Sequence, residues 1–271
     1  MTFNRRSFIG KLFIGIIGLI VVDAYWLEPY FIEWTEFDLS EDRTDKIKAL
    51  HLTDMHIRSS GAYHISIAKQ INKKRPDVIL ITGDTINHNS YFPFLITFLD
   101  MVDVQIPKIA CIGNTEYSGR VDFARLRNVL KKYNGTLLIN RSQIFQARER
   151  RINVVGLDDY VHGNPDYALA TQNIDPSLPI IVLNHCPAYR ENIDLLGQEL
   201  AIRPKLILAG HTHGGQVTFF GKPFYTPYGS GDYVKGWYNN EFSKMYVSKG
   251  VGTTVFPIRF ACRAEASIFY V

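Results

Sequence analysis

Leu206-Ile207-Leu208-Ala209-Gly210-His211-Thr212-His213-Gly214-Gly215-Gln216 sets four apolar residues directly before two histidines wrapped in glycines. A short apolar run bounded by turn residues reads as a buried strand. Histidines spaced i, i+2 at its carboxyl end can both aim ring nitrogens at one point, and neutral imidazole is the commonest metal-ligand side chain. The glycines let the backbone turn sharply and let a ligand approach closely. A core strand has little reason to end in two histidines unless something binds them.

Four more apolar runs end in the same way. Residues 47–52 lead into Thr53-Asp54-Met55-His56, and residues 78–82 into Gly83-Asp84. Residues 108–112 lead into Gly113-Asn114-Thr115-Glu116, and residues 180–183 into Asn184-His185. In open α/β sheets the carboxyl ends of the strands form the ligand-binding edge. A single Asp or His after a strand is ordinarily a cap or turn residue. Five such endings, all drawn from metal-ligand chemistry, are not explained that way.

Asp54, Asp84 and Asn114 offer oxygens, and His56, His185, His211 and His213 offer imidazoles, with no thiolate among them. This donor set suits borderline divalent ions such as manganese, iron or zinc. Seven donors are too many for one tetrahedral zinc, which points to a pair of divalent ions sharing a carboxylate. Two metals about 3.5–4 Å apart clamp the attacking and leaving oxygens of an in-line displacement and acidify water. That chemistry serves hydrolysis of phosphate esters and anhydrides.

The runs alternate with helical spacing. Ile65, Ala68 and Ile71 form one stripe, residues 94–101 a second helix, and Phe123, Leu126, Val129 and Leu130 a third. Residues 31–39 alternate as a half-exposed first strand, residues 152–156 read as a further buried strand, and residues 245–247, 259–261 and 267–271 as late strands without intervening helices. Sheets covered by helices on their outer faces follow. The 271 residues, 46% hydrophobic and 21% charged, form one large globular domain beyond the first segment. The runs 125–132 and 148–151 read as solvated basic faces. Cys111, Cys186 and Cys262 have no CxxC spacing and read as free thiols. A net charge of +4 without a strong basic stripe argues against a nucleic-acid partner.

Asn4-Arg5-Arg6-Ser7-Phe8-Ile9-Gly10-Lys11 precedes an apolar run over residues 12–22, a length short for a full membrane span. The Arg-Arg-x-Phe pattern resembles a twin-arginine export signal, with a generic signal anchor as the alternative. Basic residues precede the run and Asp23, Glu28, Glu33 and Glu36 follow it. The positive-inside rule therefore keeps the chain start cytoplasmic and sends the rest outward. Segment 1–27 is thus a signal or anchor, and 28–271 the catalytic domain, expected on the outer side of a bacterial inner membrane. Val22-Asp23-Ala24 offers only a weak cleavage site.

The order Asp-x-His, Gly-Asp, Gly-Asn, His, Gly-His-x-His resembles the calcineurin-like metallophosphoesterases. The matching segments are Asp54-Met55-His56, Gly83-Asp84, Gly113-Asn114, Asn184-His185 and Gly210-His211-Thr212-His213. The forms Gly-His-Thr-His-Gly-Gly-Gln, Gly156-Leu157-Asp158-Asp159 and Ser248-Lys249-Gly250-Val251-Gly252 resemble the membrane-associated or exported bacterial branch. That branch includes phosphodiesterases and UDP-2,3-diacylglucosamine pyrophosphatases of lipid A synthesis. The resemblance implies a four-layer αββα sandwich of two mixed sheets flanked by helices. It gives Asp54, His56 and His213 to one metal and Asn114, His185 and His211 to the other, with Asp84 bridging. Asp84, Asn114 and His185 are then the residues expected to be catalytic. The implied substrate is a phosphorylated small molecule or a lipid-linked pyrophosphate, with an exported general phosphodiesterase or phosphatase as the alternative. Lipid A synthesis needs a cytoplasmic domain, which conflicts with the charge asymmetry.

One position departs from the family pattern: Thr115 stands where a histidine usually follows Gly-Asn. Threonine can donate a hydrogen bond but is no general acid near neutral pH. A leaving group that needs no proton, such as a phosphate or an aryl oxide, tolerates the loss. The departure also leaves open a non-catalytic metal-binding module. His88 is a candidate replacement donor, though it reads first as an exposed loop residue. The aromatic cluster Phe219, Phe220, Phe224, Tyr225, Tyr228, Tyr233, Trp237 and Tyr238 is read as packing, with a lipid-gripping rim as the alternative.

Overall fold

The computed structural model describes residues 5–40 and 45–271, so residues 1–4 of the basic opening segment lie outside the described residues. In chain order the strands are β1 Glu33–Asp38, β2 Lys48–Leu52, β3 Val78–Thr82, β4 Lys108–Cys111, β5 Gly135–Leu137, β6 Arg141–Ala147 and β7 Arg150–Gly156. They continue as β8 Ile180–Leu183, β9 Leu206–Ala209, β10 Thr218–Phe219, β11 Lys222–Pro223, β12 Gly236–Asn239, β13 Lys244–Val247 and β14 Glu265–Tyr270. The helices are α1 Arg5–Val22, α2 Ala62–Lys74, α3 Phe92–Met101, α4 Asn114–Ser118, α5 Phe123–Lys132, α6 Tyr167–Thr171 and α7 Arg190–Glu199.

Two six-stranded sheets form, in the orders β1-β14-β2-β3-β4-β5 and β12-β13-β9-β8-β7-β6. The second sheet has parallel strands at its centre and an antiparallel pairing at each edge. In the first, β14 runs antiparallel to β2 inside the sheet, and the other pairings, including both edges, are parallel. Parallel strands buried on both faces need continuous apolar runs, and Val78–Thr82 is buried throughout. Alternation then sorts the side chains. Ile79 and Ile81 face a core shared with α2, α3 and α5, while Val78 and Leu80 face the second sheet. Ile181, Leu183, Leu206 and Leu208 answer them from β8 and β9, and Val182 and Ile207 face a third core with α6 and α7. Three apolar layers between four structural layers make the αββα sandwich.

Two expectations are corrected. Residues 259–261 are not a strand: Phe260 makes only an isolated bridge to Val217. Arg259 turns its whole side chain inward and Ala261 adopts φ 49°, so the pleat cannot continue. The apolar segment is also longer than residues 12–22. α1 runs into a π-helical turn, Asp23–Leu27, and Phe8–Leu27 is a 20-residue stretch of mean hydropathy 2.0, long enough to cross a membrane. Asp23 interrupts the apolar run without ending the helix, because Ala24-Tyr25-Trp26-Leu27 resumes it.

Candidate metal centre

All five polar endings meet at one edge. The loops after β2 and β3 are paired by backbone bonds, His56 N–H to Asp84 O at 2.9 Å and Ile57 N–H to Thr85 O at 2.9 Å. The loop after β9 joins them when His211 N–H donates to Asp54 Oδ2 at 3.0 Å. Gly210 permits that approach: a Cβ there would overlap Thr53 Oγ1 and stand 2.5 Å from Asp54 Oδ2. Asp54, His56, Asp84, His211 and His213 all have φ between 43° and 71°. Left-handed backbone is uncommon outside glycine and clusters where surrounding structure enforces it. Each strand turns abruptly at its end and throws its side chain to the same point.

The seven predicted residues come together. Asp54, His56 and His213 form one group of donors, Asp54, Asp84 and His185 a second, and His185, Cys186 and His211 a third, each with ligand atoms within 4.8 Å of one another. Six of the seven are buried, and Asn114 is half-buried. Asn114 Oδ1 sits 2.9 Å from both His185 Nε2 and His211 Nδ1. The Cys186 thiol donates to Asp159 Oδ1 at 3.2 Å, and burial pushes it up, so it stays a buried thiol rather than a thiolate donor.

Outer hydrogen bonds fix which nitrogen carries a proton in three of the four rings. His185 Nδ1 donates to Thr82 O at 2.7 Å, leaving the Nε2 lone pair facing Asn114 Oδ1 and, at 3.4 Å, Asp84 Oδ1. His211 Nε2 donates to Tyr228 O at 2.8 Å, so its Nδ1 lone pair faces Asn114. His56 Nδ1 donates to Asn87 Oδ1 at 2.7 Å, and its Nε2 stands 3.0 Å from His213 Nε2 and 3.6 Å from Asp84 Oδ2. Lone pairs thus converge on lone pairs in a buried space. Cations between them resolve that conflict, and the donors fit a pair of divalent ions.

The titration behaviour has the same origin. Burial opposes a charge on His185, yet Asp84 and Asp54 outweigh it and lift the ring to about 9, so the carboxylates draw onto Nε2 a proton that a cation between them would displace. Burial opposes ionisation of Asp84, but His185 and His56 outweigh it and hold the carboxyl low. Burial pushes Asp54 up. His211 and His213 are held low by burial and then by neighbouring imidazoles. The carboxylates call for positive charge, which His185 takes up and His211 and His213 do not.

A family model, that of the calcineurin-like phosphoesterases, matches residues 47–215 and so spans all seven donors. The chain belongs to that family. It is a metal-dependent hydrolase of phosphoric esters, and several relatives match over nearly the whole chain. The metallophosphoesterase YkuE of Bacillus subtilis is 28% identical over 98% of this chain and 96% of its own length. The phosphodiesterase YaeI of Escherichia coli is 29% identical over 90% of each chain. Among solved structures, TT1561 of Thermus thermophilus has a TM-score of 0.51 at 12% identity, covering 76% of this chain and 91% of that one. That likeness concerns the fold alone.

Three residues of this phosphoesterase were not picked out from sequence. Buried Glu116 accepts from the N–H groups of Asp84 and Gly113, each at 3.0 Å, tying two ligand loops together. Asn87 orients His56. Arg259, fully buried, donates to the carbonyls of His213, Lys249, Gly250, Gly252 and Cys262. His88 is exposed and bonds Ser90, so nothing turns it toward the centre. The aromatic cluster divides. Trp237 packs on Phe37, Tyr246 and Phe269, and Tyr233 meets Tyr238, whereas Phe219, Phe220, Phe224, Tyr225 and Tyr228 are exposed.

Proposed function

We propose that Asp54, His56 and His213 hold one divalent ion and Asn114, His185 and His211 the other, with Asp84 between them. The carrying observation is that the two oxygens of Asp84 face different clusters, Oδ1 toward His185 at 3.4 Å and Oδ2 toward His56 at 3.6 Å. Ions of the manganese, iron or zinc class held there would polarise phosphoryl oxygens and lower the pKa of water. The protein's own part is to fix the rings: Thr82, Tyr228 and Asn87 each hold one imidazole so that its lone pair points inward. Asp84, Asn114 and His185 then line the position of the reacting phosphorus.

The substrate we infer carries a leaving group that departs without a proton, as in a pyrophosphate or an aryl ester. Thr115 supplies no general acid, and His88 is exposed and bonded to Ser90. A groove of about 790 Å³ runs from His56 past Met55, Arg58 and Tyr63 to Tyr30 and Phe31, where the apolar helix joins the domain. A lipid-linked pyrophosphate suits a polar centre with an apolar approach, and UDP-2,3-diacylglucosamine would be that substrate only for a domain on the cytoplasmic side. Seated by Phe8–Leu27 in the inner membrane, the domain lies on the outer side by the charge asymmetry around that helix. An exported phosphodiesterase is the second reading, favoured by that same asymmetry and by the phosphodiesterase activity for which YaeI is named.

The deciding experiment is a substrate screen with full-length, metal-loaded protein in detergent. Pyrophosphates and aryl diesters should turn over well and alkyl diesters at least about 10²-fold more slowly, all activity vanishing in Asp84→Ala. Equal rates on alkyl diesters and pyrophosphates overturn the leaving-group reading.

A further inference from the structure

The topology brings the apolar helix into the domain at the metal-bearing edge. β1 pairs in parallel with β14, which pairs antiparallel with β2, and β2, β3 and β4 are parallel. The start of β1 therefore stands beside the carboxyl ends of β2, β3 and β4, where Asp54, Asp84 and Asn114 follow. One backbone bond and one bond to a side chain pin the junction there. Arg259 N–H donates to Ala24 O at 3.0 Å, and Cys262 N–H to Glu28 Oε2 at 2.7 Å. Tyr25 and Trp26, exposed on the last turn before the junction, are the residue types that mark a membrane–water interface.

The same edge carries large apolar side chains standing in solvent. Phe220 is 97% exposed, Phe224 88% and Val255 80%, with Phe219, Tyr225, Tyr228 and Phe256 also exposed. Phe220 and Gly221 form the two-residue tip between β10 and β11 with φ 48° and 79°, positions where Asn-Gly is preferred. Val255, β-branched, sits at φ 57°. A bulky or branched residue at positive φ is a genuine outlier, so both tips present apolar groups against local preference. The two loops are joined to each other and to the metal loop. Gln216 Nε2 donates to Thr254 O and Phe256 O, each at 3.0 Å, and His211 Nε2 donates to Tyr228 O. Arg58, Arg263 and, in β11, Lys222 are exposed at this edge, as an anionic headgroup layer would favour.

We propose that loops 219–228 and 255–256 rest on the lipid bilayer beside the apolar helix, so that the groove between Phe31 and His56 opens at headgroup level. The proposal rests on the reading above that Phe8–Leu27 is seated in the membrane. Its consequence is that an amphiphilic phosphoester reaches the metal centre from the bilayer rather than from bulk water.

Full-length protein with Phe220→Cys, labelled with an environment-sensitive dye and reconstituted in phosphatidylcholine–phosphatidylglycerol vesicles, tests this. Cys111, Cys186 and Cys262 are all buried and escape the label. The expected result is a blue-shifted emission quenched several-fold by acyl-brominated lipid. Val104→Cys, exposed on the opposite edge before β4, should show neither effect. Unquenched, unshifted dye at position 220 in vesicles that retain the chain through an alkaline carbonate wash overturns the docking while leaving the membrane reading intact. A blue shift without bromolipid quenching means that a second copy covers the rings, and overturns it too. Loss of the chain in the wash fails the membrane reading itself, and the docking with it.

Discussion

The backbone N–H of Thr115 donates to Asp84 Oδ1 at 2.9 Å, while the Thr115 hydroxyl is buried without a partner among the described residues. The residue is therefore held against the carboxylate that lies between the two donor clusters, with a free donor and no titratable group. Restoring an imidazole there supplies a proton donor. Thr115→His is expected to raise kcat on alkyl phosphodiesters by about 10²-fold or more, with little change on pyrophosphates. Thr115→Val removes a donor that is free to bond a bound phosphoryl oxygen, an interaction worth about 0.5–1.5 kcal/mol, and should raise KM by a matching factor of roughly two to twelve. Steady-state kinetics on both substrate classes measure this; an unimproved alkyl rate in Thr115→His sinks the leaving-group argument.

Arg259 is the hub behind the ligand loops. Its guanidinium reaches Gly252 O at 2.6 Å and Lys249 O at 2.7 Å, and Gly252 N–H in turn donates to Asp54 O at 2.8 Å. Lysine keeps the charge but not the planar fork. Arg259→Lys should lower metal affinity by about 10–100-fold, the usual cost of losing a group that orients ligands, while excess metal restores kcat. Chelator competition reads the affinity. Arg259→Met strands several buried carbonyls at about 1–3 kcal/mol each and should lower the thermal midpoint steeply. Wild-type metal affinity in Arg259→Lys would exclude the positioning role.

What was legible in the sequence was whatever sits next to its own strand. Asp54, Asp84, Asn114, His185 and His211 each follow an apolar run within a few residues, so period and chemistry appear side by side. Glu116, Asn87 and Arg259 each reach a ligand loop more than 30 residues away, from a one-turn helix and two loops with no period to read. Arg259 was lost inside a three-residue stretch that mimics a strand until Ala261 turns left-handed. The aromatic cluster could not be divided for a related reason. Trp237 and Phe220 are equally apolar, and only the sheet beside one of them separates core from surface.

His51 predicts an acid-side loss of stability. Its ring is fully buried in β2, with Nε2 2.8 Å from Thr82 Oγ1 and Nδ1 unpartnered among the described residues, and burial lowers it from 6.5 to about 3. The folded state thus binds fewer protons than the unfolded state between those values. Stability is intact above pH 6.5 and falls as pH drops toward 3, by about 1.4 kcal/mol per unit for one proton. His51→Gln can keep the bond to Thr82 and removes the titration. Thermal midpoints compared between pH 7 and 5 should fall less steeply in the variant; parallel curves would show that His51 does not titrate this way.

Gly113 tests how little room the centre has. A Cβ at this position would overlap Asp84 Oδ1, stand 2.5 Å from Asp84 N and 3.0 Å from His185 Cε1. Its φ of −120° suits any residue, so the constraint is space and not backbone conformation. Alanine must push Asp84 away from either His185 or His56, because the carboxylate is already held by Thr115 N–H on one side. A misplacement of about 1 Å at a reacting centre can cost about 10²-fold. Gly113→Ala should therefore lose at least that much kcat and bind less than the wild-type metal complement, while the thermal midpoint of the metal-free protein moves by only a few degrees. Metal analysis on the purified variant separates the outcomes. Full metal content with full activity would mean that the Asp84 carboxylate has freedom that its neighbours in this structure deny it.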